Sequence, residues 1–303
     1  SPRIAMDAAG NALVVWEQLS GLAQGDQRTV WANRLAAASG LWGGAQQINS
    51  GSDTAFFPQI AVDASGTAIA VWTQKPIAAD NSGVPSIGSN RYNGSAWGSA
   101  ELVESQTTQA QQPSIAMDGK GNAVTVWVQH DGTQYNLWAN RYNNTSRAWG
   151  TAALVHKGAD SNSHTPQVAL DSAGNAIMVW HSEQLTGNFV GTVFASRMDA
   201  GTGAWAAPAQ LGQREAQMAF IEPQIAIDAN GNAMAVWSYR NGSGYRAYYS
   251  RYSNGSWGSA TLLEPDGIAQ GSAEWMRIAM DASGAATVVW THVDTGSSQI
   301  ISN

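Results

Sequence analysis

The chain has 303 residues, a formal charge of −7, no cysteine and 14 tryptophans, and only 12% of its residues are Asp, Glu, Lys or Arg. The missing cysteine excludes a disulfide scaffold, a thiol nucleophile and cysteine-ligated zinc or iron–sulfur clusters. The acidic balance argues against nucleic acid as a partner, and no apolar run approaches the roughly 18 residues of a membrane-spanning helix.

One phrase recurs six times and organises the whole chain. It begins at Pro2 as PRIAMDAAGNALVVW and returns in forms such as PQIAVDASGTAIAVW and PQIAIDANGNAMAVW. Its aspartates are Asp7, Asp63, Asp118, Asp171, Asp228 and Asp281, spaced by 56, 55, 53, 57 and 53 residues. Its closing tryptophans, Trp16, Trp72, Trp127, Trp180, Trp237 and Trp290, always stand nine residues later. The phrase predicts two short strands joined by a tight Asp-x-x-Gly turn, in which glycine supplies φ > 0 and the aspartate caps nearby backbone.

A third strand follows in five repeats, in phrases such as VWANRL and YYSRY, and carries Arg34, Arg91, Arg141, Arg197 and Arg251. A fourth begins six or eight residues after each arginine, at Trp42, Trp97, Trp149, Trp205 and Trp257. The second strands are apolar at consecutive positions, as from Ala12 to Trp16, which predicts burial on both faces. Four strands per repeat, each sheet covered on both sides, is the pattern of a β-propeller. An array of separate sandwiches would require each unit of some 55 residues to hold its own core. The expected fold is all-β: a six-bladed β-propeller of four-stranded antiparallel blades. The repeats run approximately 1–55, 56–110, 111–163, 164–220, 221–274 and 275–303, in one domain. The Trp-to-Arg offset of repeats three and five is 14 residues, which from Trp290 falls one past Asn303. The last blade is therefore expected to be incomplete, and the chain to be a piece of a longer one with further domains.

The first phrase resembles the NHL-type propeller repeat. YSNGSW at Tyr252–Trp257 and YNGSAW at Tyr92–Trp97 resemble degenerate Asp-boxes, the turn motif of sialidase-like propellers. The resemblance covers nearly the whole chain as repeats. It implies a secreted bacterial-type propeller, placed outside the cell, in the periplasm or on the cell surface. It names no activity, because such folds host many.

The recurring aspartates, tryptophans and arginines read as scaffold. One carboxylate per turn is too few for a cation, and the histidines form no His-x-His or His-x-x-x-His pair, so no metal or other cofactor is expected. The informative residues are those that break the repeat. The second-to-third and fourth-to-first loops vary most and emerge on one face, where a binding site is expected. Trp275, in the variable segment GSAEWMR, is the best candidate for stacking on a ligand. His181 and His292 stand where second strands exit, and Asp131, Glu183 and Glu274 supply loop carboxylates. The expected function is a non-enzymatic binding module for a glycan or a protein. The alternatives are a polysaccharide-acting enzyme of sialidase or lyase type and a structural spacer.

Overall fold

The computed structural model describes residues 2–19, 27–50, 53–76, 83–104, 108–185, 190–215, 222–241, 244–264, 271–293 and 298–302. Among these residues all regular structure is strand, arranged as six antiparallel sheets, one per repeat. The contacts group the chain into two compact units, 1–155 with sheets one to three and 156–303 with sheets four to six.

Each sheet runs in simple chain order, so the first strand of a repeat is always an edge. Sheet two shows the plan, with Thr54–Val62, Ala68–Lys75, Ser86–Tyr92 and the short Glu101–Leu102. Sheets one, three and five differ from the expected single fourth strand. In sheet five it is broken into Ser256–Trp257 and Thr261–Leu262, both paired to Gly244–Ser253. The late tryptophan lies in the first short piece, or in an isolated bridge such as Tyr92 with Trp97. Sheet six has the three strands Ser272–Met280, Ala286–Val293 and Ser298–Ser302.

The Asp-x-x-Gly turn is held by its own aspartate. Asp228 Oδ1 accepts the backbone N–H of Asn230 at 2.8 Å and of Asn232 at 2.9 Å, and Oδ2 accepts Asn232 Nδ2 at 2.8 Å. These bonds to the ionised form, led by the Asn232 side chain, hold the Asp228 carboxyl below its ordinary value of 3.8 against the opposing effect of burial. Gly231 has φ +86°, and a Cβ there would stand 3.1 Å from Asp171 Oδ2 of the preceding turn. In the first unit Gly66, at φ +86°, would meet Asp7 Oδ2 at 2.9 Å. The glycine thus serves both the turn's handedness and the close approach of one turn to the next.

Within each unit, second-strand tryptophans fill the space between successive sheets. Trp72 is fully buried with Val15, Val30, Ala32 and Ile48 of sheet one. Trp127 packs with Ile69, Val71, Ile87 and Val103 of sheet two. In the second unit Trp237 and Trp290 share one cluster with Val179, Val193, Met234 and Val236. Hydrogen bonds cross the same boundaries. Asn90 Nδ2 donates to Ile48 O at 2.8 Å, and Asn140 Nδ2 donates to Val103 O at 2.7 Å. Arginines also reach the next repeat: Arg91 Nη2 donates to Asn144 Oδ1, and Arg251 Nη1 to Gly284 O, each at 3.4 Å. Two-sided burial is complete in the core of the second strands of sheets two to five. In sheets one and six Val14, Trp16 and Val289 keep contact with solvent.

The two units treat the second-strand indole N–H differently. In the first, Trp16, Trp72 and Trp127 donate Nε1 to the glutamine two residues on, Gln18, Gln74 and Gln129, at 3.3, 3.1 and 3.0 Å. In the second unit that position holds Ser182, Tyr239 and His292, and Nε1 of Trp180, Trp237 and Trp290 has no partner among the described residues.

Replacing Trp237 by alanine removes a fully buried indole, and is expected to cost about 3–5 kcal/mol in chemical denaturation. Because the folded Asp228 pKa lies below its unfolded value, its stabilisation is complete above pH 3.8 and is lost as pH falls through the lowered folded value. Asp228→Ala is therefore expected to lower stability at neutral pH while shrinking its loss on acidification, as read from denaturation midpoints between pH 7 and 2.

Candidate functional site

The site grows out of an irregularity in the edge strands. In sheets two, three, four and six the pairing of first and second strands slips once, between Phe56 and Gln59, Gln111 and Ser114, His164 and Gln167, and Glu274 and Arg277. The residue inside each slip adopts a left-handed backbone: Phe57 at φ 57°, Gln112 at 56°, Thr165 at 46° and Trp275 at 56°. In the first three sheets the next residue is Pro58, Pro113 or Pro166; in sheet six it is Met276. Proline has no N–H to give to a ladder, so an edge-strand bulge is where it fits. Trp275 accordingly lies on a bulge within the strand Ser272–Met280, not in a loop as its sequence context suggested. The bulge turns its indole outward, and the side chain is 61% exposed.

Beside it, in the second unit, is a cavity of about 240 Å³ lined by Glu222, Ser238, Tyr245, Glu274, Trp275 and Met276. Glu222 stands just ahead of the first strand of sheet five, Gln224–Ile227. Ser238 follows Trp237 on the second strand, and Tyr245 lies on the third. Tyr245 N donates to Ser272 Oγ at 3.2 Å, which ties sheet five to sheet six at the cavity. Met276 is buried and anchors the bulge from below. The lining thus joins an exposed aromatic platform, two carboxylates, a phenol and a hydroxyl. An aromatic face stacks on the apolar C–H face of a sugar ring, while carboxylates and hydroxyls bond its hydroxyl groups.

Of the sequence candidates, Trp275 and Glu274 come together here. The others lie elsewhere. His181 is on the strand Ala176–Gln184 and only 8% exposed, so it is no loop residue. Its Nε2 has no partner, and its ring lies 6.1 Å from that of His164. Burial, assisted by His164, pushes its pKa down from 6.5 to about 4, so it is neutral at physiological pH. Glu183 lies 3.9 Å from His164 Nε2 and does not line the cavity. His292 is likewise a buried strand residue, on Ala286–Val293. Asp131 belongs to the first unit and caps its own turn, accepting from Thr133 N at 2.9 Å and Asn136 Nδ2 at 2.9 Å. Among the described residues no three His, Asp or Glu are grouped to hold a metal ion.

Sequence reasoning did not single out Ser238, Tyr245 or Glu222. Ser238 occupies the position after the second-strand tryptophan that singled out His181, so the repeat carried a signal for it. Tyr245 stands eight residues after Trp237, as Tyr135 stands eight after Trp127, so it holds a repeat position rather than the look of an exception.

No family model and no curated protein matches the chain. Solved structures do. An α-L-arabinanase of Penicillium chrysogenum, complexed with arabinobiose, aligns over 100% of this chain and 92% of its own, with 13% identity and a TM-score of 0.60. An ulvan lyase from a polysaccharide lyase family aligns over 99% and 80%, with 10% identity and a TM-score of 0.63. The NanB sialidase of Streptococcus pneumoniae aligns over 99% and 67%, with 10% identity and a TM-score of 0.55. At these identities the likeness shows the fold, and the chain is an all-β, six-bladed β-propeller.

His181 makes a pH-dependent contribution of definite sign. Its folded pKa lies below the unfolded value of 6.5, so the unfolded chain takes up the proton first and stability falls as pH drops from 6.5 toward about 4. That shift corresponds to roughly 3 kcal/mol over the window. His181→Leu is expected to reduce this slope, measured as unfolding midpoints at pH 7.5, 6, 5 and 4; an unchanged slope would contradict the buried neutral imidazole.

Proposed function

We propose that this chain is an extracellular polysaccharide-acting β-propeller that holds a sugar ring on Trp275 and cleaves a glycosidic bond with Glu222 and Glu274. The observation that carries the reading is the cavity that combines an exposed indole with two carboxylates and a phenol. Hydrolysis of a glycosidic bond needs one carboxylic acid to protonate the leaving oxygen. It needs a second carboxylate to attack the anomeric carbon or activate water. The cavity offers that pair on two elements, one leading into sheet five and one on sheet six. On this reading Tyr245 and Ser238, which line the same cavity, bond sugar hydroxyls. The fold likeness to arabinanase, lyase and sialidase structures supports a glycan as the ligand class.

A second reading keeps the ligand and drops the chemistry. A stacking platform that is 61% exposed is what a non-catalytic glycan-binding module also needs, and the same residues serve it.

A panel of soluble polysaccharides incubated with the chain and assayed for new reducing ends or unsaturated products separates the two. Cleavage is expected, with Glu274→Gln lowering the rate by about 10²–10⁴-fold and leaving binding within a few-fold of the parent. Trp275→Ala is expected to weaken binding at least tenfold with little change in thermal unfolding, because its ring is mostly outside the core. Binding without product would leave the second reading standing. Neither binding nor product would overturn both.

A further inference from the structure

The bulge that presents Trp275 carries an aromatic ring in the first unit too. Phe57 has φ 57° against 56° for Trp275, and is 56% exposed against 61%. A bulky side chain in the left-handed region is strained, and an apolar ring facing water is unfavourable. The fold does not demand either, since Gln112 and Thr165 hold the same backbone with polar side chains. Among the described bulge positions, the ring is therefore an addition made twice.

The surroundings of Phe57 are built. Phe56 meets it edge-on, with centroids 5.4 Å apart and an interplanar angle of 87°, which fixes the ring plane. Glu17 Oε2 accepts the backbone N–H of Phe57 at 3.3 Å, and Glu17 Oε1 takes Arg28 Nη1 at 3.2 Å. Arg28 N in turn donates to Thr54 Oγ1 at 2.9 Å, on the same strand as Phe57. The bulge backbone is thus tied to a carboxylate that is itself paired with a guanidinium, so the two charges cancel. Arg28 is the more open of the two, at 43% exposure against 19% for Glu17.

We propose that Phe57, Glu17 and Arg28 form a second sugar subsite, separate from the Trp275 cavity and suited to a neutral sugar ring. The ring's C–H face would stack on Phe57, and its hydroxyls would bond the carboxylate and the guanidinium. A charge-balanced pair gives no net attraction for a sugar acid. The choice of a sugar as ligand rests on the reading given under Proposed function; the subsite itself rests on the bulge and its neighbours.

The test is calorimetric titration of the 303-residue chain with neutral arabino-, galacto-, xylo- and gluco-oligosaccharides. Parent, Trp275→Ala, Phe57→Gln and the double variant are compared. Glutamine is chosen because it already stands at this backbone conformation in sheet three, so the variant folds. The expected result is two sites per chain in the parent. One remains in each single variant, and in the Trp275→Ala background Phe57→Gln weakens the remaining binding at least tenfold. A single site that Trp275→Ala removes and Phe57→Gln leaves untouched would overturn the subsite and leave the cavity reading intact. A single site that only Phe57→Gln removes would do the reverse. No binding of any sugar by the parent would overturn both.

Discussion

The packing of the second-strand indoles Trp72 and Trp127 in the first unit, and Trp237 and Trp290 in the second, against the preceding sheet is the contact on which both units depend. A tryptophan of this kind replaces several smaller core residues at once, burying on the order of 150–250 Å². It explains how a chain with no cysteine, and with alanine and valine on its central strands, holds sheet to sheet. The aspartate turn is subordinate to it. The turn fixes the nine-residue interval from Asp to Trp, and so delivers every indole to the same level of its sheet. The glycine that lets the turn close also lets it nest on the aspartate of the neighbouring repeat.

The units diverge at the N–H of that indole. In the first unit a glutamine two residues downstream satisfies it; in the second the glutamine is gone and three buried N–H groups lack a partner among the described residues. An unmet buried donor costs stability. The second unit is also where Ser238 and Tyr245 line a cavity beside Trp275. The repeat is thus kept strictest where it serves packing and is relaxed in the unit that carries the candidate site, a pattern expected when local consistency is given up for function.

The bulges show how a scaffold feature becomes a presentation device. The slip holds the residue inside it in one left-handed conformation, whether proline follows, as in sheets two, three and four, or Met276, as in sheet six. Once the backbone is set, the residue at that position is free to vary, and it does: Phe57, Gln112, Thr165 and Trp275 share one conformation with four chemistries. Function is carried by such variable positions on a constant frame.

The spacing of aspartates and tryptophans determined the six sheets, their antiparallel order and the interleaved core, because strand period and turn chemistry are local and repeat exactly enough to be read along the chain. The shortness of the fourth strand in sheets one, two and five was not legible, since two-residue pairings depend on what the third strand leaves unpaired. Trp275 and Glu274 stood out because they break the repeat. What the sequence could not place was the side chains around them. Trp275 read as a loop residue because its pre-proline position is disguised by Met276, and the strand bulge appears only when two strands are paired. His181 and His292 read as exits from a strand, yet the neighbouring strands bury them. The cavity itself joins residues from 222 to 276 that share no spacing, and only the packing of sheet five on sheet six brings Glu222, Tyr245 and Trp275 around one space.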